Sequence, residues 1–156
     1  MSFTPSAGKE LQSEYFVAFS DAPRAIQAIN ELHLQISPLI LVTEVRTIAA
    51  DEFTMSPCYQ RDSVAIHFTW RQSLDPDYPI LASGLDTEIE NVLQQIEDVL
   101  APFKARPHLG KLFAMKPGRL EEVYQNLPLF RAQMDRHDPR GVFRNQFLNE
   151  YIMGAP

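Results

Sequence analysis

An α+β domain, with an antiparallel sheet covered on one face by two helices, is the fold class this sequence predicts. Three observations predict it. Residues Leu39 to Ile48 and Ser63 to Trp70 are β-branched and aromatic runs of strand character, joined by a long polar loop. Segments before and after this pair repeat apolar residues at helical spacing. In chain order the elements run strand, helix, strand, strand, helix, short strand, then further helices.

The first nine or ten residues are small and polar and read as a flexible leader, with one domain over 11–156. Glu14 to Phe19 is a strand by aromatic and β-branched content. Ser20 or Asp21 offers an N-cap and Pro23 opens a helix, whose stripe Ala25, Ile29, Leu32 and Ile36 carries it to about Leu34. Pro38 ends that helix, and a central strand begins at Leu39 or Ile40. Glu44 and Arg46 sit two apart on it and so share a face, about 6–7 Å apart along the strand. On an otherwise buried strand, such a pair costs desolvation unless it is paired or functional.

Ala49 to Asp62 is too proline-broken for a regular element and reads as a functional or docking loop. In the next strand Val64, Ile66, Phe68 and Trp70 take one face and leave Ala65, His67 and Thr69 on the other. A second loop, Asp75 to Pro79, ends near Gly84. Thr87 with Glu90 three residues later has the capping-box pattern, opening a helix whose apolar face runs from Ile89 to Phe103 and which Pro102 stops. Arg106 to Lys111 is a short extended segment and turn. Pro117 and Pro128 open two more helices, to Tyr124 and about Arg136. Asp138 to Gly141 is a turn, and Gln146 to Met153 a last short helix stopped by Gly154. The first six elements match the ferredoxin-like split βαβ order, with Glu44, Arg46 and Thr69 as candidates for the uncovered face.

Composition narrows the function. A chain of 156 residues with a net charge of -6 is a poor match for a nucleic-acid backbone. No apolar run approaches the ~20 residues of a membrane span. The single cysteine, Cys58, excludes an internal disulfide framework and suits a reducing, cytoplasmic setting. Cys58 and the four histidines share no ligand-like spacing, so no metal site is expected.

Several strings coincide in order: Gln12-Ser13-Glu14-Tyr15-Phe16-Val17, Thr43-Glu44-Val45-Arg46-Thr47, His67-Phe68-Thr69-Trp70, Arg106-Pro107-His108-Leu109-Gly110-Lys111 and Asp138-Pro139-Arg140-Gly141-Val142-Phe143-Arg144-Asn145. Together they resemble the C-terminal region of the FAD-dependent sugar-alcohol and sugar-lactone oxidases, from about Gln12 to Gly154. Ser56-Pro57-Cys58-Tyr59 in the long loop also resembles the alditol (xylitol) oxidase branch. The resemblance implies a substrate-binding or cap domain. FAD would be held mainly by a separate domain, since a glycine-rich phosphate loop is missing here and the chain is too short for both parts. One departure is Leu109, where that family usually has Trp between the His and Gly of the turn. The missing indole puts substrate identity in question more than chemistry.

By the same resemblance Glu44, Arg46, Thr69 and Lys111 match positions lining a polyol site. Lys111 is the candidate to orient and deprotonate the reacting hydroxyl, and Arg46 to fix Glu44 and support charge at the flavin. Thr69 would give a hydroxyl to substrate and His108 a supporting contact. The implied activity is oxidation of a polyol or sugar 1,4-lactone, with oxygen as acceptor and hydrogen peroxide as product. The residues alone leave a plainer reading open. Glu44 with Arg46 is then a structural pair, Thr69 a β-propensity choice, His108 a turn residue and His67 a hydrogen-bonded sheet histidine. The chain would then be a non-catalytic ferredoxin-like module binding a sugar or a partner protein.

Overall fold

A computed structural model of the chain describes residues 11–71 and 85–154. Four strands, β1 (Leu11–Ala18), β2 (Ile40–Ile48), β3 (Ser63–Trp70) and β4 (Arg106–Pro107), form one sheet in the order β2-β3-β1-β4. Every neighbouring pair is antiparallel. With α1 (Ala22–Asn30) between β1 and β2, and α3 (Leu85–Leu100) between β3 and β4, this is the predicted split βαβ order. The leader and the loop expected over residues 75–79 lie outside the described residues.

Alternation divides the sheet into two chemistries. Tyr15, Val17, Ile66, Phe68 and Trp70 bury their side chains under α1 and α3. Phe68 stacks on Trp70 with ring centroids 5.4 Å apart, and Trp70 Nε1 donates to Ser13 Oγ at 2.9 Å. Burying an indole is favourable here because its one polar atom has a partner. Glu14, Phe16, Ala65, His67 and Thr69 take the opposite face, as strand period demands.

Three expectations are corrected. β2 is not a central, buried strand but the edge of the sheet, exposed along nearly its whole length. Its β-branched run reads as buried because strand propensity and burial favour the same residues. The first helix stops at Asn30, and a four-residue helix, α2 (His33–Ile36), follows a turn at Glu31 and Leu32. The break turns the chain so that Ile36 and Leu39 both reach the core before β2 begins. α3 starts at Leu85, so the Thr87 box lies within its first turn rather than capping it.

The loop between β2 and β3 is irregular, as read, but it is fastened down. Arg106, buried under it, donates from Nη1 to the carbonyls of Pro57 and Tyr59 and from Nε to that of Val123. Arg61 donates to the Phe16 and Lys104 carbonyls. Burial, and then the nearby Arg106 charge, pushes the Arg61 guanidinium down to about 10. Cys58, which lies in a loop of polar composition, is buried against Phe16 and Ala65. Burial pushes its thiol up, which makes it an inert packing residue.

Beyond β4 lie α4 (Pro117–Val123), α5 (Leu127–His137) and a π-helical turn, Leu148–Met153, closed by Gly154 at φ 69°. They gather around a second core of Met115, Leu120, Tyr124, Leu127 and Ile152. The turn before it is held by Asp138, whose carboxylate accepts the Val142 and Phe143 N–H groups at 2.8 Å each.

Candidate active site

The sheet face that α1 and α3 leave uncovered carries a row of polar residues in register. His67 on β3 is the Cα partner of Glu14 on β1 and also of Glu44 on β2. Arg46 follows two residues along β2, and Thr69 two residues along β3. Lys111 comes from the turn after β4. That turn is pinned to β1 by His108 N donating to Glu14 O at 2.8 Å and Leu112 N to Gln12 O at 2.8 Å. A further bond, Lys111 N to His108 O at 3.0 Å, sets the approach of the lysine.

Glu14 joins these groups. Its Oε2 accepts from Lys111 Nζ at 2.7 Å, and its Oε1 lies 3.9 Å from Arg46 Nη1 and 3.8 Å from His67 Nδ1. Lys111 Nζ is also 3.0 Å from His67 Nδ1, and His67 Nε2 is 3.2 Å from Thr69 Oγ1. Arg46 additionally donates to Glu44. Glu14, His67 and Thr69 are buried, Lys111 is half-buried, and the Glu44–Arg46 pair forms an exposed rim. Burial, followed by the Lys111 charge, lowers the His67 imidazole below its usual value, so the ring is neutral at pH 7. The Arg46 hydrogen bond lowers the Glu44 carboxyl and keeps it ionised.

Of the residues sequence singles out, Glu44, Arg46, Thr69 and Lys111 all lie on this one face, and the Glu14 carboxylate links Lys111 to Arg46. The desolvation argument for Glu44 and Arg46 does not hold, because each side chain is about half exposed at 52% and 50%. His108 stays apart from the polar row. Its ring lies 6.3 Å from the Phe16 ring and its Nδ1 accepts the Gly110 N–H, so its support is to the turn. Sequence alone does not mark Glu14 as a site residue, and it marks His67 only as a hydrogen-bonded sheet histidine. The signal that finds both is cross-strand register, which places a carboxylate and an imidazole opposite one another.

Two cavities, of about 260 Å³ and 310 Å³, lie elsewhere. One is an apolar hollow between α1, α2 and the helix side of β2. The other lies beneath α3 around Tyr15, Glu97 and Arg119. Among the described residues no cluster of His, Cys, Asp or Glu is arranged to hold a metal.

The family model for D-arabinono-1,4-lactone oxidase matches residues 7–151, nearly the whole chain. The chain belongs to this family. Among its relatives, an alditol oxidase from Streptomyces sp. (strain IKD472 / FERM P-14339) is 37% identical over 97% of this chain and 34% of its own length. An L-gulono-1,4-lactone dehydrogenase of Mycobacterium tuberculosis is 29% identical over 90% of the chain and 30% of its own length. The L-gulonolactone oxidase of Mus musculus is 28% identical over 69% of the chain and 22% of its own length. The chain therefore spans about a third or less of the length of each of these relatives. Leu109 packs against the second core.

Proposed function

We propose that this chain is the substrate-gripping part of an FAD-linked oxidoreductase acting on a polyol, an alditol such as xylitol, or on a sugar 1,4-lactone. Oxygen is the acceptor in this reading and hydrogen peroxide the product. The observation that carries it is the linked set of Lys111, His67, Thr69, Glu44 and Arg46, joined through the Glu14 carboxylate on the sheet face opposite α1 and α3. Membership of a family named for a lactone oxidase, with an alditol oxidase among the relatives, supports the same substrate class.

Oxidising an alcohol removes a hydride from carbon and a proton from oxygen. FAD, when bound, supplies the hydride acceptor. The residues here suit a surface facing such a group: Arg46 is a half-exposed cation at the rim of the row, while no glycine-rich loop for the cofactor's phosphates occurs in the sequence. The remaining work falls to side chains of this chain. Lys111 has three N–H donors. One is given to Glu14 and one to His67, which leaves the third to hold the reacting hydroxyl oxygen. As an ammonium Nζ has no lone pair, so it first passes one proton to His67 Nδ1 at 3.0 Å; the free amine then takes the hydroxyl proton, and the one proton gained resides on the His67 ring. Thr69 and the Glu44–Arg46 pair supply further donors and acceptors along the polyol, which offers little apolar area to grip.

Mixing the chain with the flavin-binding part of an alditol oxidase and adding xylitol tests this through bleaching of the flavin absorbance. The chain by itself is expected to be inactive. Bleaching is expected with the native chain and lost with Lys111→Met. Undiminished bleaching with that variant removes Lys111 from the chemistry.

A further inference from the structure

We infer that Glu14 is a positioning residue, which holds the Lys111 ammonium against His67 and thereby fixes which ring nitrogen of His67 carries hydrogen and which way the Thr69 hydroxyl is polarised. The inference rests on the polyol reading of this face and deepens it. Nothing in the resemblance or the family match assigns Glu14 a role.

The argument is one of donors and acceptors. An ammonium only donates, so at 3.0 Å from Lys111 Nζ the His67 Nδ1 must be the bare, accepting nitrogen. A neutral imidazole then carries its hydrogen on Nε2, which donates to Thr69 Oγ1 at 3.2 Å. With its oxygen already accepting, Thr69 has its own hydrogen to give, so it meets an acceptor oxygen on the ligand. The order of the whole run, Lys111 to His67 to Thr69, depends on Nζ staying where it is. Glu14 is the group that keeps it there. Its carboxylate is 5% exposed, pairs with Nζ at 2.7 Å and makes no hydrogen bond with His67, whose Nδ1 is 3.8 Å from Oε1. Without Glu14 the lysine stem is free to swing toward solvent and Nδ1 loses its donor. The other charged groups on this face, Glu44 and Arg46, are paired with each other at the rim.

Nitrogen NMR of the histidine rings in the full ¹⁵N-labelled chain at neutral pH reads this directly, with His67→Asn assigning the signal. The native chain is expected to show His67 as a single Nε2–H tautomer. Lys111→Met should turn it into a mixture of tautomers, and Glu14→Val should do the same even though Lys111 is intact. A native His67 in the Nδ1–H form overturns the inference, and so does a folded Glu14→Val that keeps the single tautomer. Should Glu14→Val not fold, amine labelling supplies the test. In the native chain Lys111 should acylate several-fold more slowly than the exposed Lys104 and Lys116, and in Glu14→Gln at a rate like theirs. Equal rates in the native chain overturn the inference. Neither readout involves substrate. A chain that shows the tautomer but binds no polyol therefore refutes the polyol reading, whereas one that binds polyol with the wrong tautomer refutes the role of Glu14.

Discussion

Glu97 shows how a single buried carboxylate shapes the rest of the molecule without touching the polar row. It lies on α3, 3% exposed, and its Oε1 accepts from Tyr15 Oη at 2.7 Å and from the Ala114 N–H at 2.8 Å. It thus ties the sheet and α3 to the segment leading into α4. Burial raises its carboxyl above the ordinary value of 4.5. The folded state therefore holds that proton more tightly than the unfolded chain does. Its contribution to stability is fully present below pH 4.5 and is lost as the pH rises through the raised folded value. Glu97→Gln keeps an acceptor oxygen and removes the titration. Thermal melts of the two proteins across pH 4 to 8 are expected to show a stability difference in favour of the variant that grows with pH, on the order of 1 kcal/mol per unit of pKa shift. Parallel curves would remove Glu97 from the pH response. Glu44 and Glu121, whose carboxyls are lowered by Arg46 and Arg131, act in the opposite sense in both proteins and cancel in the difference.

At the scale of elements, the irregular loop is held over the sheet by two arginines that donate to backbone carbonyls. Arg106 serves three of them with a planar fork. Arg106→Met keeps much of the stem and leaves those carbonyls bare, so a loss of about 2–4 kcal/mol is expected in denaturant unfolding, with faster amide exchange over residues 49–62. Arg106→Lys should recover little, since one ammonium cannot span both directions; full recovery would show that charge alone holds the loop. The strands and helices themselves were legible because their apolar spacing is local. Both central strands, α3 and the prolines opening α4 and α5 stand in the sequence much as they fold. The exposure of β2 was not legible, since an edge strand and a central one share the same residue types and differ only in what lies beside them. The break after Asn30 is likewise settled by tertiary packing rather than by a cap. Ile96, wholly buried under the sheet, gives a check on the main core: Ile96→Ala should cost about 2–5 kcal/mol, and a loss below 1 kcal/mol would mean that α3 packs loosely.

Taken whole, the molecule brings four charged groups to one face and pairs them internally, Lys111 with Glu14 and Arg46 with Glu44. Among the described residues the two cations of this row, Lys111 and Arg46, each already pair with a carboxylate, and the chain's net charge of -6 repels anions. A neutral polyol or lactone should therefore bind with little dependence on ionic strength, while the corresponding sugar acid should bind more weakly. Calorimetry at low and high salt checks this, and tighter binding of the acid would contradict it. Sequence supplied four members of the face by resemblance; its link, Glu14, required the register of β1 against β3, which no single segment contains. The most direct test of the polyol reading is an amide and side-chain NMR titration of the chain with xylitol. The account predicts that the signals of Glu14, Glu44, Arg46, His67, Thr69 and Lys111 move together. Shifts confined to the helix side of the sheet, or none at all at saturating polyol, would contradict it.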